Sequence, residues 1–309
     1  MSITIPDPLP AVQVETLDTD PPERPAKRRR GRETGNAGIG SRPGFLTYGL
    51  LAAFIIGSVY PLWWSFVVAS GENSTRGETL PLIPGGNFLA NAARVLDAIP
   101  FWLALGNSIV ISGIITISVV TFSTIAGYAF AKLKFRGRNG LMLFVIATMA
   151  IPTQLGIIPL FMVMRELGWT GTIGAVIVPT LVTAFGVFFM RQYLVDVIPD
   201  ELIEAARVDG AGQFRTFLTV GVPAARPAMA ILGLFTFMTA WTDYLWPLIV
   251  LSPQNPTLQT ALSQLQSGYY IDYSIVLAGA VMATIPLLIL FIIAGQQLIS
   301  GIMAGAVKG

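Results

Sequence analysis

Six apolar runs limit what this chain can fold into more than any other feature. They occupy Phe45–Ala69 and residues 105–131, 141–164, 172–190, 228–251 and 275–294. About 20 helical residues cross the hydrocarbon core of a bilayer. Inside lipid the backbone must satisfy its own hydrogen bonds, which a helix does within one segment. The runs therefore predict an all-α integral membrane protein with six transmembrane helices. At 12% charged residues the chain carries about half the charge of a soluble domain. It contains no cysteine and no histidine, which excludes disulfides and thiolate chemistry and removes the commonest general base and metal ligand. No catalytic, cofactor-binding or metal-binding residue is assigned, and the composition argues against an enzyme.

Lysine and arginine set the orientation. With the N-terminus inside, 16 of the 19 basic residues fall on internal segments, leaving Arg76, Arg94 and Arg165 outside. The positive-inside rule then predicts a multi-pass protein of the bacterial plasma (inner) membrane with both termini cytoplasmic. Residues 1–42 form a Pro-rich, polar tail too poor in apolar surface to fold alone, and 43–309 form the six-helix membrane domain. The tail's basic run, Lys27 to Arg30 with Arg32, suits a topogenic flank better than a nucleic-acid or anionic-lipid contact. No nucleic-acid partner is expected; membrane lipid is. The first apolar run lies too far in and is too long for a signal peptide.

Asp243 is the one acidic residue within the six runs, in Trp241-Thr242-Asp243-Tyr244-Leu245-Trp246-Pro247. Intramembrane charge is costly and marks a functional hypothesis. Two readings stay open: a residue lining a solute path, or structural glue near the outer interface. Ser108, Ser112 and Thr116 share one helical face, which suits close packing or a polar path. Pro152 and Pro159 break the third run around Gln154, freeing carbonyls of a kind tolerated beside protein or a watery cavity. Candidate path residues are thus Asn107, Ser108, Gln154, Trp241 and Asp243. Outside, the 252–273 loop carries no basic residue but holds an amphipathic stretch around 258–266 and then Tyr269 and Tyr270. Those tyrosines fit an interfacial belt or a docking surface.

Between the fourth and fifth runs lies a charged island, residues 200–227. It reads as two short helices joined at Asp209-Gly210-Ala211-Gly212, where both glycines permit a sharp reversal. Pro223 and Pro227 mark entry into the next run, since proline suits a helix start. On local physics alone this is an ordinary solvated loop. Its spacing is more specific: Glu204-Ala205-Ala206, three residues, Gly210, nine residues, then Val220-Gly221-Val222-Pro223. This resembles the EAA loop of ABC-importer permeases, with Val220 and Val222 in place of the commoner Ile and Leu. Asp209, Ala211 and Phe214 match its longer form in sugar importers.

Other stretches resemble MalG-type permeases of carbohydrate ABC importers. They are Ala126 to Lys132 with Phe135-Arg136-Gly137-Arg138, Ile151 to Gln154 with Ile158-Pro159-Leu160, Trp241 to Pro247, and the terminal Gly305-Ala306-Val307-Lys308-Gly309. Thr242 stands where the family often has Asn. The resemblance covers about residues 45–309 and implies the type I ABC importer permease fold. It implies a heterodimer with a second permease subunit, two cytoplasmic ATPase subunits, an extracytoplasmic solute-binding protein and a sugar substrate. The loop at about 198–223, through Glu204, Ala205, Ala206, Asp209, Gly210, Ala211, Phe214 and Pro223, would couple to the ATPase, and the C-terminal tail would reach the same interface. ATP and magnesium would be used by the partner ATPase; the chain itself has no G-x-x-x-x-G-K-[ST] phosphate loop. A self-sufficient channel or secondary carrier for a small polar solute is the alternative that the membrane features alone leave open.

Overall fold

The computed structural model describes residues 44–72, 83–267 and 271–306. The 1–42 tail, Tyr269 and Tyr270, and Val307, Lys308 and Gly309 lie outside the described residues. Among those described there are helices and turns but no strand. The chain divides within its first helix, α1 (Phe45–Ala69), into units that meet between Phe54 and Ile55. The first unit's described part is the apolar, exposed start of α1. The rest of the fold belongs to the second.

Among the described residues, five helical segments are long and apolar enough to cross a membrane, and a sixth span results if one sharply bent pair counts as one. The second span is α3 (Phe101–Lys132). The third run folds as α4 (Arg138–Met149) and α5 (Ile157–Glu166), bent by 88° across a tight turn at Thr153–Gly156. Pro152 precedes that turn and has no N–H to continue α4. The fourth combines α6 (Gly174–Ile177) and α7 (Ala184–Val197) around Pro179; Thr183 restarts the helix, its hydroxyl oxygen accepting the Gly186 N–H at 3.1 Å.

The island and fifth run differ from expectation. After α8 (Asp200–Val208), the chain runs from α9 (Gln213–Thr216) through a π turn at Phe217–Gly221 into α10 (Val222–Thr242). The predicted second short helix is thus the start of a 30-residue helix that includes the fifth span. That span ends at Thr242, nine residues before the predicted limit at 251, and α11 (Leu245–Val250) follows as a separate piece. Two shorter helices, α2 (Phe88–Ala98) and α12 (Leu258–Gln264), flank the spans, and α13 (Tyr273–Ala306) is the last.

α3 is the central element, packed on α7 and α10. Its approach to α7 is close enough that a Cβ on Gly127 would lie 2.7 Å from the Met190 Cβ and 2.8 Å from the Arg191 nitrogen. Small residues permit such backbone contact between membrane helices. The main core gathers Ile111, Ile115, Val119, Met190, Leu194 and Leu232 from these three helices.

Candidate functional site

The charged island is built around the C-terminus of α8. The Ala211 N–H reaches back to the Ala206 carbonyl at 2.9 Å, and the Gly210 N–H to the Arg207 carbonyl at 3.0 Å. This is a Schellman closure, which requires a left-handed residue at the position Gly210 fills; its φ is +76°. The spacing from Ala206 to Gly210 is therefore the spacing of the first capped carbonyl to the left-handed residue. Gly212 is different: at φ −68° and ψ 163° it is extended backbone open to any residue. The reversal depends on Gly210 alone.

Two ties hold the island to the bundle. Lys132, at the end of α3, donates to Asp200 Oδ1 at 2.8 Å. That hydrogen bond and the lysine charge hold the Asp200 carboxyl below its ordinary value. Beyond the turn, the Phe217 ring packs against Tyr128 of α3 with centroids 5.1 Å apart. Gly221 fits under the same ring, where a Cβ would come within 2.9 Å. Ile203 is buried, whereas Leu202, Val208 and Phe214 are exposed, Val208 by 88% and Phe214 by 72%. Glu204, Ala205 and Asp209 are exposed among them, Ala206 and Ala211 are half-buried, and Pro223 is exposed farther along. The result is a firmly rooted loop that presents apolar side chains and carboxylates outward.

At the other end of the same long helix lies a cavity of about 490 Å³. Thr236, Thr239, Thr242 and Asp243 line it from α10 and its end, facing Thr180 and Thr183. Thr239 and Thr242 each give their hydroxyl proton to a carbonyl one turn back, at 2.8 Å, and Thr180 does so to Ile177 at 2.9 Å. Their oxygen lone pairs are what remains for a solute. The Asp243 carboxyl sits at the start of α11, facing the backbone N–H groups of Tyr244, Leu245 and Trp246. It lines the cavity at the N-terminal end of α11. Among the described residues, no lysine or arginine lines this cavity. Ile115, Val176, Phe185, Phe235 and Ala240 complete the lining, so the cavity is mostly apolar with a stripe of hydrogen-bond acceptors along it.

A family model for the inner membrane component of binding-protein-dependent transport systems matches residues 119–299, which include the island and the cavity's α10 wall. The chain belongs to this family. The permease is 37% identical over 263 residues to the arabinooligosaccharides transport system permease protein AraQ of Halalkalibacterium halodurans, covering 83% of this chain and 93% of that one. It is 32% identical to the lactose transport system permease protein LacG of Rhizobium radiobacter, over 86% and 97% of the two chains. A chain in the crystal structure of a bacterial ABC transporter involved in importing the acidic polysaccharide alginate superposes with a TM-score of 0.69 at 27% identity. That match covers 81% of the permease and 94% of the solved chain. The fold is accordingly the type I importer permease fold, in a multi-pass inner-membrane protein of the MalG type.

Of the other residues read from the permease's sequence as path candidates, none lines the cavity. Asn107 donates to the Asn255 side chain and the Pro256 carbonyl at 2.8 and 2.9 Å. Ser108 accepts the Leu258 N–H at 2.8 Å. Both pin the 252–258 loop to α3. Trp241 is buried and stacks on Phe237 at 5.6 Å. Gln154 is exposed in the turn between α4 and α5. Gly305 and Ala306 end α13, and the rest of the expected tail contact lies outside the described residues. Of these threonines only Thr242 was noted from sequence, as a departure from the family's usual Asn, although Thr236, Thr239 and Thr242 recur every three residues.

Proposed function

We propose that this permease forms half of the solute path of an ATP-driven carbohydrate importer of the di- or oligosaccharide class. Its EAA loop couples that path to a cytoplasmic ATPase. The observation that carries the reading is mechanical: the exposed loop and the cavity wall are two ends of one helical segment, Gln213–Thr242. At 1.5 Å per residue this segment is about 45 Å long. A push on Phe214 is delivered along it to Thr236, Thr239 and Thr242 without an intervening hinge loop.

The exposed apolar side chains of the loop need a partner to cover them, and Glu204 offers a carboxylate for a basic residue on that partner. ATP and magnesium belong to the ATPase pair. The second permease subunit supplies the other half of the path, and an extracytoplasmic binding protein delivers the sugar. Both termini of this chain are cytoplasmic, as the distribution of basic residues supports. A mostly apolar cavity with acceptor oxygens and no cation among the described residues that line it favours a sugar over a phosphorylated solute, and AraQ and LacG carry sugars in their names.

The test is retention of the ATPase by the affinity-purified permease. Burying one phenylalanine side chain is worth about 1.5–3 kcal/mol, so Phe214→Ala should weaken retention roughly tenfold or more. Equal retention of the ATPase by Phe214→Ala and by a Val208→Ser, Phe214→Ala double variant, both at wild-type levels, would refute the assignment of this face.

A further inference from the structure

A second polar site lies away from the threonine-lined cavity, at the Arg138 end of the bundle. Two adjoining cavities of about 280 and 350 Å³ share Arg138 and Asn139. Arg191 of α7 lines the first and Lys134 the second. Among the described residues, no carboxylate lines either one. The same three cations also border a larger cavity of about 630 Å³ with Asp200, Glu201 and Glu204; of these carboxylates Asp200 is engaged by Lys132 at 2.8 Å. Among the described residues Lys134, Arg138 and Arg191 form no ion pair. Arg138 gives one N–H to the Leu133 carbonyl at 3.3 Å, and Arg191 gives one to the Gln192 side chain at 3.2 Å. The Arg191 Nε is buried with no partner among the described residues. Burying such a donor unpaired is costly, and an anion between the two guanidinium groups would relieve it.

The walls say which anion. Arg138, Met142 and Ile146 recur every four residues on one stripe of α4, and Phe130 closes the side. From Arg138 to Ile146 the stripe rises about 12 Å, with the cation at one end and apolar side chains along the rest. A free phosphate or a nucleotide would use only the cationic end. An amphiphile with a charged head and a hydrocarbon chain uses both.

We infer that the groove between α4 and α7 holds one anionic phospholipid, its phosphate against Arg138 and Arg191 and an acyl chain along the exposed Leu143 and Ile146. This requires that the chain spans a membrane but not that its EAA loop couples to an ATPase. The lipid would mortar α4, the helix before the 88° bend, to α7.

The test uses the full permease in its native complex, with a photoreactive benzoylphenylalanine in place of Ile146, reconstituted in vesicles of equimolar phosphatidylglycerol and phosphatidylcholine. Mass spectrometry of the illuminated permease reads which lipid is attached. Phosphatidylglycerol should exceed phosphatidylcholine by about fivefold or more, the preference given by one charge-assisted hydrogen bond. In an Arg138→Gln background the two lipids should approach parity, whereas Arg215→Gln, a cation elsewhere on the same end, should leave the preference intact. Should Arg138→Gln fail to assemble, Lys134→Gln is expected to lower the preference in the same direction. Equal labelling in the otherwise native chain would overturn the inference. So would abolition of the preference by millimolar inorganic phosphate, or attachment to a partner protein in place of lipid.

Discussion

A substitution series at Gly210 separates backbone strain from every other property of the loop. Gly210 has φ +76°, and a Cβ built there meets no atom within 4 Å. Any cost therefore comes from the left-handed conformation and none from a clash. An ordinary L-residue loses roughly 1–2 kcal/mol in that region, and a β-branched residue reaches about 3 kcal/mol. Asparagine tolerates it best. The Schellman closure of α8 should thus be depopulated slightly by Gly210→Asn and about tenfold by Gly210→Ala, with Gly210→Val depopulating it most. None of these costs approaches the burial energy of a membrane span, so membrane levels should stay normal throughout. Solute uptake and uptake per ATP hydrolysed, measured in reconstituted vesicles, should fall in the order Asn, Ala, Val. Wild-type uptake by Gly210→Val would show that the angle at this turn is irrelevant. Equal loss by Asn and Val would show that the effect is not backbone strain.

Four other outcomes are expected. Gly127→Ala puts a Cβ against the Met190 and Arg191 backbone and should lower the thermal stability of the purified permease by about 1–3 kcal/mol, the usual cost of overpacking. Asp243→Asn keeps the shape of the side chain but removes the charge from the cavity; uptake should fall about fivefold, as for one hydrogen bond, with ATPase retention unchanged. Because the chain contains no cysteine, single cysteines report sidedness directly. Gln264→Cys should react with an impermeant thiol reagent outside intact cells, and Gln213→Cys should not. At Asp272, burial pushes the carboxyl up, but hydrogen bonds from Ser274 and Arg94 outweigh it and leave it below the ordinary 3.8. With the folded value depressed, the Arg94–Asp272 tie is fully present above pH 3.8 and is lost as pH falls through the lower value. Hydrogen exchange at the start of α13 should therefore rise only under strong acid, and Asp272→Asn should abolish that rise.

The membrane spans were legible because hydrocarbon permits so few backbone solutions that an apolar run nearly names its fold. The EAA loop was legible for a related reason: Ala206 and Gly210 occupy fixed positions in a capped helix end. The boundaries of the fifth span were not. Arg215, Arg226, Pro223 and Pro227 read as an interruption, yet the helix continues through them because a π turn precedes Pro223, and Val222 donates to Phe217 five residues back. α2 escaped notice because eleven amphipathic residues fall short of a span and hold no strong cap. The cavity was hidden for a different reason. Threonines at helical spacing are ordinary in membrane helices, and only the facing Thr180 and Thr183, distant in sequence, turn that stripe into a lining.

The wide turn at Phe217–Gly221 amounts to a surplus residue stored inside a continuous helix. Handing the surplus one position along exchanges carbonyl partners with little net loss of hydrogen bonds. The residue it passes turns by about 100°, one step of the helix, while the segments on either side keep their register. Pro223 closes the way toward the cavity, since it has no N–H to take part in the exchange. The free direction runs toward Gln213 and carries Phe217 off the Tyr128 ring. Passing the surplus along would therefore loosen the grip between loop and bundle in whole-residue steps.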